Sequence, residues 1–381
     1  MFVQIRCCIK IFGIGLLLTM INCTRNQKIT SRDELPPEVD KYEFLRYSGG
    51  EEVISPDRVV HADNNWEILL ACLGGKTWQE LKEAGVHATE SQLLLLRAMR
   101  FIDYKNDLNK DTLTTTLPVL GQKQKQSLMQ EVGKLAEGME PELEGDIENL
   151  KKLLTERGYG DRVFSVLFSS VVDGIVWFPF RNMGFASEFT LSKERPLFDG
   201  IYWAYYPKRD FRCGTNIAMG KDVFVLLNWS DGPQKKIQKI FNWKNLRSMH
   251  DQLVQSGRIV EEDLKQQLIP YKVIDKNGNP TIPVIEMKME DPVFQVCQSM
   301  AAKIVRFMAG HLDLDHLRNK YGFTDKETAF VVVYHEWMWE FMEYLVKKRI
   351  IEKPRAFEQS EEAEARDIGK LLFIVKGSIG K

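Results

Sequence analysis

Cysteine is scarce in this chain: the 381 residues hold six, and Cys7 and Cys8 sit side by side near the N-terminus. Cys23, Cys72, Cys213 and Cys297 remain, too few for a disulfide framework. A surplus of one charge sign is missing as well. Lys and Arg number 52 against 53 Asp and Glu, a net charge of −1, so no global basic excess is available for nucleic-acid phosphates. Beyond the first residues, no segment is read as reaching the roughly 20 apolar residues that a membrane span needs. A Gly-rich phosphate loop, a nucleophile elbow and a paired CxxC are all lacking, so catalysis is unsupported and no cofactor is indicated. What is present suits a folded protein. With 44% hydrophobic and 28% charged residues the chain is neither disordered nor fibrous, and its length suits two or three domains.

Arg6 and Lys10 precede an apolar run, 11–21, broken only by Thr19. The run ends at Asn22-Cys23 and turns polar from Thr24 to Gln27. It is too short to span a bilayer and has the form of a signal-peptide core. This arrangement resembles a bacterial lipoprotein signal. The resemblance implies a signal peptide over 1–22, a lipid such as palmitate on Cys23, and a linker over 23–39. It also implies a lipid-anchored, extracytoplasmic place in the bacterial cell envelope. Asn22 stands where that family usually has a small residue. An ordinary secretory signal containing Cys23 is the alternative.

The body reads as a duplication. Trp78-Gln-Glu-Leu81 recurs as Trp243-Lys-Asn-Leu246, and Leu117-Pro118-Val119 as Ile282-Pro283-Val284, both 165 residues on. Asp57-Arg-Val-Val60 matches Asp222-Val-Phe-Val225 at the same offset, and Asn65-Trp66 matches Asn228-Trp229 at 163. Tyr159-Gly160 and Trp177 recur as Tyr321-Gly322 and Trp339 at 162. The halves are placed at 40–178 and 206–348, with an aromatic-rich connector over 179–205 and a tail over 349–381. Ile368, Leu371, Leu372 and Val375 recur at helical spacing, so the tail is expected to be an amphipathic helix docked on the body.

Each half runs helix, helix, helix, hairpin. Thr77 and Glu80 form a capping box, a second helix starts near Thr89, and a Thr-rich strand ends at Pro118. In the second half 233–241 stands for the first helix, Asn242 caps the next, 261–268 follows, and Asp275-Lys-Asn-Gly278 marks a hairpin. The order resembles a winged-helix domain. The expected class is α+β, predominantly helical, with two winged-helix-like halves, small β-wings and helical extensions. One extension starts at Asp291-Pro292 and another at a capping box, Thr324 to Glu327.

The resemblance raises nucleic-acid binding, but the first reader helix, with Glu90, Arg97 and Arg100, is only weakly positive, and the second carries Glu261, Glu262 and Asp263 against Lys265, which repels phosphate. No nucleic-acid partner is expected. His311-Leu-Asp-Leu-Asp-His316 has metal-ligand residue types, yet its counterpart at 149–154 lacks them, and a solvated turn is the better reading. His335-Glu336 opens like a zinc-protease helix, but Trp339 stands where the second histidine belongs. Glu336, Glu340, Glu343 and Lys347 read instead as a polar stripe, and no metal site is expected. Tyr202, Trp203, Tyr205, Tyr206, Arg209 and Arg212 interleave aromatics with cations, a pattern that grips ligands or partners. They are the candidate binding surface, although plugging the joint between the halves is the favoured reading. The function expected is a protein-interaction or scaffold module with an unknown protein partner. The alternatives are an enzyme with a site between the repeats and a winged-helix regulator.

Overall fold

The computed structural model describes residues 35–108, 110–193, 195–210, 212–219, 222–230, 241–357 and 365–377. The expected leader, Cys23 and all but the last residue of the expected helix at 233–241 lie outside the described residues. The fold is α+β and predominantly helical, about 53% helix, with small sheets.

Side-chain caps set many of the element starts. Strand β1 (Glu43–Glu52) leads into α1 (Pro56–His61) and α2 (Asn65–Ala71). Thr77 and Glu80 box the start of α3 (Trp78–Glu83), and Thr89 and Gln92 box that of α4 (Glu90–Ala98). A hairpin of β2 (Ile102–Asp103) and β3 (Thr114–Thr115) follows, and Lys76 bridges to Leu113 beside it. After β4 (Val119–Leu120) comes the long helix α5 (Gln122–Glu156).

The next stretch is α6 (Val163–Val166), a π-helical segment (Leu167–Ile175) and α7 (Trp177–Asn182). Within the π segment a Cβ on Gly174 would stand 2.5 Å from the Ser169 carbonyl oxygen, so only glycine fits. By length and composition Gly160–Asn182 is apolar enough to cross a membrane, contrary to the expectation for the body. In this fold it is a core helix, with 72% of its apolar window buried.

Strand β5 (Phe198–Tyr205) ends the stretch read as the connector, and β6 (Cys213–Met219) and β7 (Val223–Ser230) follow. Asn242 caps α8 (Trp243–Ser256), and α9 (Glu262–Leu268) follows. The Asp275 turn closes a hairpin through an Ile274–Pro280 bridge, before β8 (Val284–Glu286). Asp291 caps α10 (Pro292–His311) and Asp313 caps α11 (Leu314–Tyr321). The cap of α12 (Lys326–Lys347) is Asp325 and not Thr324, while Glu327 accepts a hydrogen bond from the Ser187 backbone N–H. Last come α13 (Ala365–Gly369) and β9 (Leu372–Lys376).

The two larger sheets share one arrangement. In the order β1-β5-β4, β5 runs antiparallel to β1 and parallel to β4. In the order β6-β7-β9-β8, β9 runs antiparallel to β7 and parallel to β8. The tail is therefore a central strand and not the expected amphipathic helix. Leu372, Phe373 and Ile374 are buried on both faces of the sheet, which favours a continuous apolar strand. Residues 198–205, placed in the connector, are likewise a central strand. Trp78 and Trp243 both open helices, Pro118 and Pro283 both precede short strands, and Trp177 and Trp339 both lie in helices. Two other matches fail: 57–60 and 65–66 are helical, whereas 223–225 and 228–229 belong to β7.

The described residues form two cores. The smaller gathers α1 to α4, the hairpin and one face of the first sheet. The larger joins the second sheet to α5, the π segment, α10 and α12. Strand β5 serves both. Phe198, Tyr202 and Ala204 enter the small core, and Ile201, Trp203 and Tyr205 enter the large one, as the two-residue period of a strand requires.

Candidate functional site

Of the candidate binding-surface residues, Tyr202, Trp203 and Tyr205 form the interior of the joint, the reading favoured for them from the sequence. Tyr202, Trp203 and Tyr205 are buried because β5 has a strand on each side and a core on each face. Tyr202 stacks between Phe44 and Phe101, at 5.8 and 5.4 Å, and its hydroxyl donates to Asp57 at 2.7 Å. Tyr206 is half-buried against Tyr42. Large aromatics there supply packing area and leave little ring surface for a ligand.

Arg209 and Arg212 are tied into an ion-pair network across the joint. The Arg209 guanidinium pairs with Glu336, and with Glu340 at 2.6 Å; side-chain exposure is 3% for Arg209 and nil for Glu336. Arg212 pairs with Glu43 at 3.2 Å, and the same carboxylate accepts from the Arg209 backbone N–H at 2.9 Å. Lys125 donates to the Pro207 carbonyl at 2.6 Å, and burial lowers its pKa. Burial raises the pKa of Glu336, and Arg209 opposes that rise. Burial works against the Arg209 charge, but Glu336 and Glu340 together hold it above its ordinary value. Within the expected polar stripe Glu336 is wholly buried and paired, while Glu343 and Lys347, 3.7 Å apart, form the expected i,i+4 pair.

Among the described residues no cluster of His, Cys, Asp and Glu could hold a metal ion. The 311–316 segment is the break between α10 and α11. Asp313 accepts from the His316 backbone N–H, Asp315 pairs with Lys326, and His311 stacks on Phe307 at 4.0 Å. His335 Nδ1 bonds the Val331 carbonyl at 2.7 Å, and burial lowers its pKa to about 4, so it is neutral at pH 7.

An open site lies next to the joint. A cleft of about 470 Å³ is bounded by the end of α4, the β2–β3 hairpin, β5 and the start of α12. Phe101, Ile201 and Tyr202 line it together with Arg97, Arg100 and Arg195, and with Asp103, Asp199, Asp325 and Glu327. Arg195 and Asp199 form an ion pair, and the Arg97 guanidinium lies 3.9 Å over the Tyr104 ring. Arg100 is exposed and has φ +59° at the left-handed position that ends α4. The Phe101 N–H reaches back to the Leu96 carbonyl at 2.9 Å, the closing bond of a helix end usually built on glycine. Arginine there costs about 1 kcal/mol in backbone strain. On the outer face of α4, Leu94 is 49% exposed.

Such a cleft offers both charge signs over a floor of largely buried side chains, and α4 carries an exposed leucine outside its lining. That combination suits a polypeptide segment better than a uniformly anionic ligand. Reading the residues in order missed Arg97 and Arg100 as cleft residues, because their acidic neighbours come from β5 and α12. The usable signal was an arginine where a helix stop calls for glycine. Compared with family models, curated proteins and solved structures, the chain has no significant match among any of them.

Proposed function

We propose that this protein is an interaction module of the bacterial cell envelope, held to the membrane by lipid on Cys23 and built from two winged-helix-like units. Its partner is a protein, engaged at the cleft between α4, the wing and α12. The observation that carries this is the mixed-charge cleft, with strained Arg100 on its rim and exposed Leu94 further back on α4. The winged-helix part is supported by the order of α2, α3, α4 and the hairpin, and by the Lys76–Leu113 bridge. Duplication is supported by the shared strand arrangement of the two sheets and the matched Trp78 and Trp243 helices. Nucleic acid is the poorer partner, since α9 opens with Glu262 and Asp263 and α4 presents a leucine to solvent.

The test is photocrosslinking in intact cells, with the crosslinking residue in place of Leu94 or Asp103, and in place of Glu290 as a remote control. A discrete protein adduct from the first two positions alone is expected. Adducts absent there, or equal at all three, would remove the cleft as the partner site. Cys23→Ala should release the protein from membranes and remove a lipid-sized mass from the intact chain. Retention with unchanged mass would overturn the anchor.

A further inference from the structure

The second sheet has an unfilled place that the first sheet fills. In the first, Leu120 of β4 pairs with Tyr205 of β5; in the second, Ile285 of β8 pairs with Val375 of β9. Tyr205 is fully buried and among the largest core side chains, whereas Val375 is half-buried and lines a cleft of about 210 Å³. The correspondence of strand positions holds with or without common ancestry.

Sheet residues Ile217, Phe224 and Leu226 line one side of the cleft, and Phe294 and Cys297 of α10 line another. The third side is the π-helical segment with α7, including Trp177 and Phe178. Widened helical turns of this kind recur at functional sites. Polar groups gather on that side. Ser170 is 7% exposed, and its hydroxyl has no hydrogen-bond partner among the described residues; the same holds for Arg181 Nε. Asp173 stands beside them, with the Trp177 indole N–H donating to it at 3.3 Å. Burial pushes the Asp173 carboxyl up to about 6, although Thr215 and Trp177 hydrogen-bond to it.

We propose that this cleft binds a small uncharged aromatic alcohol of the phenol class, its ring against the second sheet and its hydroxyl at Ser170 and Asp173. Size argues for a single ring. A cavity of about 150 Å³ accepts benzene, so this cleft admits a ring with a short substituent. Head-group chemistry excludes the charged classes. An anionic head would meet Asp173, and a cationic one would meet Arg181. A hydroxyl both donates and accepts, and so serves a carboxylate and an N–H together. The aromatic lining from Trp177, Phe178, Phe224 and Phe294 favours an aromatic ring over an aliphatic chain.

The probe is p-cresol, titrated into the full-length protein at pH 7 by calorimetry and ligand-observed NMR, with toluene as the ring lacking the hydroxyl. Saturable binding of one p-cresol per chain is expected. Val375→Phe, which fills the place as Tyr205 does, should weaken binding about tenfold or more by occluding a cavity of ring size. Ser170→Ala should weaken p-cresol binding about two- to tenfold, the range of one hydrogen bond, and leave toluene unchanged. Non-saturable p-cresol uptake, or wild-type affinity in a folded Val375→Phe variant, would overturn the proposal. Should Val375→Phe fail to fold, the Ser170→Ala ratio of p-cresol to toluene affinity decides: a fall supports the site, and an unchanged ratio refutes it.

Discussion

Replacing Arg209 by alanine probes the joint most sharply. Its guanidinium is 3% exposed and holds two carboxylates, one of them, Glu336, wholly buried. Removing the cation leaves Glu336 charged, desolvated and unpaired, a change that costs about 3–5 kcal/mol. An exposed pair would lose only about 0–1 kcal/mol. The acid has a second outlet, since it can bind a proton. Burial already raises its pKa with Arg209 present, and without the cation the rise is larger. A carboxyl whose pKa is higher in the folded than in the unfolded chain keeps full stability below the unfolded value. It loses that stability as pH climbs through the folded value, by about 1.4 kcal/mol for each pH unit between the two. The Arg209→Ala deficit should therefore be largest at pH 8 and smaller at pH 5. Urea unfolding followed by tryptophan fluorescence measures both, and Trp339 lies 5.3 Å from the Arg209 guanidinium as a local reporter. The double variant Arg209→Ala with Glu336→Gln carries no buried charge at 336, so it should recover stability at pH 8 and show no pH-dependent deficit. A deficit below about 1 kcal/mol, or one equal at both pH values, would refute a desolvated pair.

Truncation at Pro354 removes Ile368, Leu371, Leu372, Phe373 and Ile374, each at most 1% exposed. At about 1.5–3 kcal/mol apiece the loss rivals the whole stability of a domain, so the truncated chain should show no cooperative melt; an unchanged melting temperature would sink the central-strand role. Asp173→Asn should stabilise the protein above pH 6 by at most about 3 kcal/mol and leave it unchanged below pH 4, because a carboxyl raised to about 6 weakens the fold as pH rises between those values. Chemical denaturation across pH 4 to 8 tests this, and a flat difference would contradict it. Gly174→Ala places a Cβ 2.5 Å from the Ser169 carbonyl oxygen and should cost about 1–3 kcal/mol in overpacking, read as a lowered denaturation midpoint. An unaltered midpoint would mean that the π segment relaxes freely.

The failed expectations share a cause. The run Leu371 to Val375 has apolar residues at both helical and strand spacing, and a short apolar segment does not reveal its period. The strand won because β7 and β8 offered hydrogen bonds on both edges, a fact carried by residues about 90 to 150 positions upstream. Asp57 and Asp222 begin similar letter strings, yet the Ser55-Pro56 start commits the first to a helix, while pairing with β6 commits the second to a sheet. Burial of Tyr202 and Trp203, by contrast, was the reading favoured from their aromatic character, and β1 and β4 on either side show how the fold achieves it.

Local chemistry by itself determined the helix starts at Thr77, Thr89, Asn242 and Asp291, the turn at Asp275 and the predominantly helical class, because a cap or turn needs only neighbours within a few residues. Tertiary structure alone decided the ion pair between Arg209 and Glu336, 127 residues apart, and the opposed charges of the cleft around Arg100. It also decided that Val375 stands where Tyr205 would fill the sheet. Desolvation, charge pairing and unfilled volume depend on which distant side chains arrive together, and no spacing within a single segment encodes that.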